Sequence, residues 1–247
     1  TGMIEPAMDS RITRMTFWLG TTTLLAFDQT RQDLYVLDHP YWTNNFVKNE
    51  PKIIRVPIAN DEPLQYVSTG PYKLKSVVGM TIDESTRTLY VADSTIRTVF
   101  KIPVDPGQNA THLTHQYQNL IDSTVDNVNN VTYVIDVSGF PPGIVRVPID
   151  GITPPTLIDT SPFQFSSPAG IVFVASHNAI YVGDRTANII VKIPLDAPWM
   201  TQAIDTGSYL VSFPSSITYV ESSNALIVAE TLNSALSMIP LDSSTTG

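Results

Sequence analysis

Ile53-Ile54-Arg55-Val56-Pro57-Ile58, Val99-Phe100-Lys101-Ile102-Pro103-Val104, Ile144-Val145-Arg146-Val147-Pro148-Ile149, Ile190-Val191-Lys192-Ile193-Pro194-Leu195 and Leu236-Ser237-Met238-Ile239-Pro240-Leu241 are five versions of one hexapeptide. Their prolines stand 46, 45, 46 and 46 residues apart, which makes the chain an internal repeat. A second motif precedes each hexapeptide and ends in an acid. It reads Leu34-Tyr35-Val36-Leu37-Asp38, Leu89-Tyr90-Val91-Ala92-Asp93, Thr132-Tyr133-Val134-Ile135-Asp136, Ile180-Tyr181-Val182-Gly183-Asp184 and Leu226-Ile227-Val228-Ala229-Glu230. Short apolar runs lie upstream at Leu24–Asp28, Val78–Asp83, Gly170–Val174 and Ile217–Val220. Weaker runs follow the hexapeptides at Leu64–Val67, Thr156–Asp159 and Gln202–Asp205.

Each repeat is therefore four short runs rich in Val, Ile, Thr and Tyr, separated by polar turns such as Glu84-Ser85-Thr86-Arg87. That composition and length suit strands. Four strands at a period near 46 predict an all-β chain, a β-propeller of five four-stranded blades. Proline cannot donate to a ladder, so each hexapeptide proline belongs at a strand exit or bulge. The last repeat stops after its third strand. Ile12-Thr13-Arg14-Met15-Thr16-Phe17 is expected to supply the missing fourth, closing the ring between head and tail. A six-bladed ring with one blade outside the sequence is the alternative. The reading is one domain over 1–247, with an arm at 1–10 and a tail at 243–247.

The segment from Ile82-Asp83 to Leu89-Tyr90-Val91-Ala92-Asp93-Ser94 resembles the NHL-repeat propellers. It is also similar to the gluconolactonase, strictosidine synthase-like and YWTD propellers. In gluconolactonase-like enzymes a Pro-Asn-Gly turn helps hold a divalent metal. The matching turns here are Pro168-Ala169-Gly170 and Pro214-Ser215-Ser216, without the Asn. Tyr41-Trp42-Thr43-Asn44 comes close to YWTD in letters, but it falls inside an insertion. The propeller resemblance implies that loops joining second to third and fourth to first strands share one face, usually the binding face.

Composition removes several function classes. The 247 residues carry 14 Lys and Arg against 23 Asp and Glu, a net charge of −9, with no basic cluster to concentrate on phosphates. Nucleic acid is not expected as a partner. There is no Cys, hence no disulfide frame and no thiolate site. No apolar run is long enough to span a membrane as a helix.

Candidate functional residues sort by face. Asp38, Asp93, Asp136, Asp184 and Glu230 end the second strands, where five carboxylates could hold Ca²⁺ or cap their own turns. His39, Tyr41, Trp42 and Phe46 lie in a long insertion of the first repeat, and Phe140 lies in a shorter loop of the third. Aromatic residues with polar neighbours suit contact with protein or carbohydrate. His112, His115 and His177 show no metal-site spacing. The inner first strands, with Gly79, Met80, Ile171, Phe173 and Ile217, predict a mostly apolar channel. Asn109-Ala110-Thr111 and Asn130-Val131-Thr132 are N-glycosylation sequons, predicted on the face opposite the insertion.

The expected function is a non-enzymatic, extracellular, secreted glycoprotein propeller that binds or assembles, with homo-oligomer or fibre formation included. The rival is a lactonase, esterase or glycosidase with a metal or carboxylate pair at the axis.

Overall fold

The computed structural model describes residues 24–38, 50–59, 62–113, 117–139 and 141–241. It contains five antiparallel sheets. The first is β1 (Leu25–Asp28), β2 (Asp33–Asp38), β3 (Lys52–Pro57) and β4 (Gln65–Tyr66). The second is β5 (Val77–Asp83), β6 (Thr88–Asp93), β7 (Thr98–Pro103) and β8 (Thr111–His112). The third is β9 (Leu120–Asp126), β10 (Val131–Asp136), β11 (Gly143–Pro148) and β12 (Thr156–Leu157). The fourth is β13 (Pro168–Val174), β14 (Ala179–Asp184), β15 (Ile189–Pro194) and β16 (Gln202–Ala203). The fifth is β17 (Pro214–Val220), β18 (Ala225–Glu230) and β19 (Ala235–Pro240). Each sheet is ordered as in sequence, and the inner strands β1, β5, β9, β13 and β17 pack side by side in succession. This is the five-bladed propeller that the spacing predicts. The proposed closing strand at Ile12–Phe17 lies outside the described residues, so β19 is the outermost described strand of its blade.

Every hexapeptide proline ends a third strand, opposite the first residue of the second strand. The residue after it then donates its N–H to the turn between strands one and two. Ile58, Val104, Ile149, Leu195 and Leu241 bond the carbonyls of Gln32, Arg87, Asn130, Asn178 and Asn224 at 2.8–3.0 Å. Those five acceptors all have positive φ, between 44° and 56°. One latch is thus repeated in five blades, and it explains why the proline recurs where it does.

Alternation along the second strands fills the spaces between blades. In β6, Leu89 and Val91 face blade one, while Tyr90 and Ala92 face blade three. Tyr35, Tyr90, Tyr133 and Tyr181 occupy the same position in four blades and are 0–2% exposed. Burial raises the pKa of each of the four. On the face of the first-to-second hairpins, Arg87 of blade two reaches Asp28 of blade one and ties the two blades, while Arg87 with Asp105, and Arg55 Nε with Asp33 at 2.7 Å, pair within their own blades.

Candidate functional site

The face carrying the second-to-third and fourth-to-first loops, here the upper face, is organised by the predicted acids. Asp93 is fully buried. Its Oδ2 accepts the N–H groups of Lys75 (2.6 Å) and Ser76 (3.2 Å) from the incoming loop. Its Oδ1 accepts those of Thr95 and Ile96, both at 3.0 Å, from the outgoing turn. Asp184 does the same with Ser166, Ser167 and Ala187, and Asp136 with Asn119 and Ser138. Glu230 accepts from Ser212 N–H, Asn233 and the hydroxyls of Tyr209 and Ser237. Burial alone would raise the Glu230 pKa, but these hydrogen bonds outweigh it and hold the carboxyl below its ordinary value. Asp38 is half-buried at the start of the insertion. Asp93, Asp136, Asp184 and Glu230 thus each fasten two loops of their own blade. Among the described residues no three His, Asp or Glu gather closely enough to hold a metal ion.

Along the axis runs a cavity of about 710 Å³, lined by the inner strands of all five blades. It is not the mostly apolar channel expected. Gly79, Met80, Ile171 and Ile217 do line it, but so do Thr81, Asp122, Ser123, Thr124, Arg185, Ser215, Ser216 and Thr218. Phe173 is not among the lining residues and tilts against Tyr133 at 6.2 Å instead. The difference comes from β9, Leu120-Ile121-Asp122-Ser123-Thr124-Val125-Asp126. With three apolar residues in seven, it does not register as an apolar run. The usable signal was Asp126, which stands five residues before its second strand as Asp28 and Asp83 do.

β9 supplies the cavity's polar wall. Asp122 Oδ2 accepts Ile171 N–H (3.3 Å) and Thr124 Oγ1 accepts Phe173 N–H (3.1 Å), both from the neighbouring inner strand. Asp122 Oδ1 accepts Ser123 N–H at 2.8 Å. Room for this carboxyl comes from Gly79, where an added Cβ would stand 2.3 Å from Oδ1. Burial pushes the Asp122 pKa up to about 7. The two N–H bonds and the nearby Arg185 charge pull the other way. The ladders of β5, β9, β13 and β17 with their second strands all slip near their upper ends, a bulge that re-aims side chains there. Phe213, just before β17, has φ of 53°, costly for a bulky residue. Its N–H donates to Asn188 Oδ1 at 2.8 Å, and its ring lies 5.9 Å from the Arg185 guanidinium carbon.

The remaining sequence candidates are dispersed or undescribed. His39, Tyr41, Trp42, Phe46, Phe140 and His115 lie outside the described residues. His112 Nδ1 lies 3.0 Å from the Leu113 carbonyl, and its ring meets Tyr72 edge-on. His177 Nδ1 lies 2.8 Å from the Tyr181 hydroxyl, and burial lowers its pKa. Asn109 and Asn130 are exposed, in the β7–β8 and β9–β10 connections, on the lower face. The sequon hydroxyl of Thr132 is buried and donates to the Thr124 carbonyl at 2.8 Å.

No family model and no curated protein matches this chain. Solved structures do. A chain of the nidogen/laminin complex superposes with a TM-score of 0.64 at 19% identity, over 88% of this chain and 79% of that one. A structural-genomics protein of unknown function from Bacteroides thetaiotaomicron gives 0.65 at 15% identity, over 86% of this chain and 57% of that one. The chain therefore spans little more than half of that second protein's length. At such identities what is shared is architecture, and it agrees with the repeat: the chain has the fold of a β-propeller.

Proposed function

We propose that this propeller is a non-enzymatic binding module working outside the cell, which holds a protein or carbohydrate on its upper face. The observation that carries the reading is the use of that face's acids. Asp93, Asp136, Asp184 and Glu230 are bonded to the loops on either side of them. Such loops form a fixed platform, and the aromatic insertion of residues 39–48 starts from it. A preformed surface with few rotamers to freeze favours association. The likeness to a chain solved within a protein–protein complex supports a protein partner. Exposed Asn109 and Asn130, both on the lower face, support secretion with sugars kept away from the contact surface. Assembly into an oligomer or fibre belongs to the same reading.

The test is a panel of immobilised matrix proteins and glycans probed with the wild-type chain and a Tyr41→Ala/Trp42→Ala/Phe46→Ala variant. Binding lost in the variant, with an unchanged circular dichroism spectrum, supports the proposal. A variant that binds like wild type overturns it.

One observation favours the hydrolase reading. A carboxyl with a pKa near neutrality, as at Asp122, is what a general acid requires. Calcium at Asp38, Asp93, Asp136, Asp184 and Glu230 belongs to that reading. Turnover on lactone, ester or glycoside panels that disappears in Asp122→Asn, or stoichiometric Ca²⁺ by metal analysis, would replace the first reading with this one.

A further inference from the structure

The upper end of the axial cavity holds two buried polar groups without a protein partner among the described residues. Ser123 is 3% exposed and its Oγ has no hydrogen-bond partner. The Nε of Arg185 is buried and has none either. Both residues line the same cavity. Buried polar groups are nearly always paired, so two orphans in residues that border one cavity ask for a common explanation.

Arg185 is the one cation among the lining residues. Its field reaches the Asp122 carboxyl, but Asp122 turns both oxygens to backbone N–H groups. The guanidinium is backed by the Phe213 ring, which holds a strained backbone conformation fastened by Asn188. Strain of this kind persists where the surroundings enforce it, and it gathers at binding sites. Serine hydroxyls of Ser215 and Ser216 lie on the same lining. Leu25, Met80, Ile171 and Ile217 supply an apolar wall. A guanidinium fork recognises a carboxylate by paired hydrogen bonds, and the apolar wall suits a hydrocarbon body. The volume falls within the usual range of small-molecule sites.

We propose that the axial cavity binds a small monocarboxylate with an apolar body, its carboxylate at Arg185 and Ser123 and its body against Met80, Ile171 and Ile217. This site is distinct from the loop surface proposed for the macromolecular partner. Asp122 adds a dependence on pH. Arg185 is the charged group facing it; the strands on either side offer Gly79 and the Ile171 backbone, and Glu84 bonds the β1–β2 turn at the other end. Ionising Asp122 places a second negative charge beside the ligand's own.

Calorimetric titration of the full chain with phenylacetate and with neutral phenylacetamide tests the proposal. Phenylacetate should saturate one site per chain, and phenylacetamide should bind at least about tenfold more weakly. Arg185→Gln should remove that preference, and Ser123→Ala, a gentler change, should reduce it severalfold. Affinity of the wild type for phenylacetate should fall between about pH 6 and about pH 8, and Asp122→Asn should abolish that fall. Melting curves establish that each variant is folded. Should Arg185→Gln not fold, the Ser123→Ala and pH arms decide. No saturable binding up to about 10 mM, equal affinity for the amide, or unchanged preference in folded Arg185→Gln and Ser123→Ala would overturn the proposal.

Discussion

A buried carboxylate that accepts four N–H groups, as Asp93 does, is a folding element. Removing it leaves four part-buried donors without this partner and empties a fully buried side-chain site. Asp93→Ala is expected to cost about 3 kcal/mol or more, measured by urea denaturation. Asp122 behaves in the opposite sense. Its native pKa is near 7, whereas the unfolded chain releases that proton near the ordinary carboxylate value. Between the two the native state binds more protons, so ionisation destabilises the fold as pH rises. Asp122→Asn cannot ionise. Its stability relative to wild type should therefore improve from about pH 5 to about pH 8, by on the order of 2 kcal/mol, read from paired melting curves. The acids at the second-strand ends were visible in the sequence because they recur in every repeat. Asp122 was not, because it occurs in one blade only. At the equivalent place the other blades have Leu24, Gly79, Gly170 and Ser216.

At the scale of the strand, the proline grid was fully legible, since a residue without an N–H must sit where the ladder ends. Its partner was only half legible: the latch from the next residue runs to a left-handed position that is Asn130, Asn178 and Asn224 in blades three to five, a residue suited to that conformation, but Gln32 and Arg87 in the first two. The inner strands were only partly legible. Their side chains pack against neighbouring blades and also border the cavity, so hydrophobicity along them is irregular and β9 carries little of it. Their glycines report distance. A Cβ on Gly170 would stand 2.6 Å from the Ser216 Cα of the next blade, with no flexible side chain to yield. Gly170→Ala should lose about 1–3 kcal/mol through forced separation of blades four and five, seen as a lower urea midpoint. Gly151, with nothing within 4 Å of an added Cβ but φ of 71°, serves as the control for purely conformational cost.

For the whole molecule, five-fold repetition fixed the blade number, because the period and the total length leave no room for another count within this sequence. Closure was inferred from the same arithmetic and is tested by deletion. β19 presents Leu236 at 76% and Met238 at 62% exposure on the described surface. If residues 12–17 pair with it, a chain lacking residues 1–18 should melt at lower temperature and self-associate, as light scattering would record. An unchanged melting point and a monodisperse solution would mean that the segment lies elsewhere. The insertion at residues 39–48 could be recognised by length but not by shape, since nothing in a repeat specifies a loop that the other repeats lack. The outer strands β4, β8, β12 and β16 are only two residues long. So short a border offers an incoming strand almost no template, and four sides of the ring are blunt to lateral growth. Any polymer of these discs would stack through their flat surfaces or exchange strands at the single seam beside β19, and the axial or sideways repeat in a micrograph would tell the two apart.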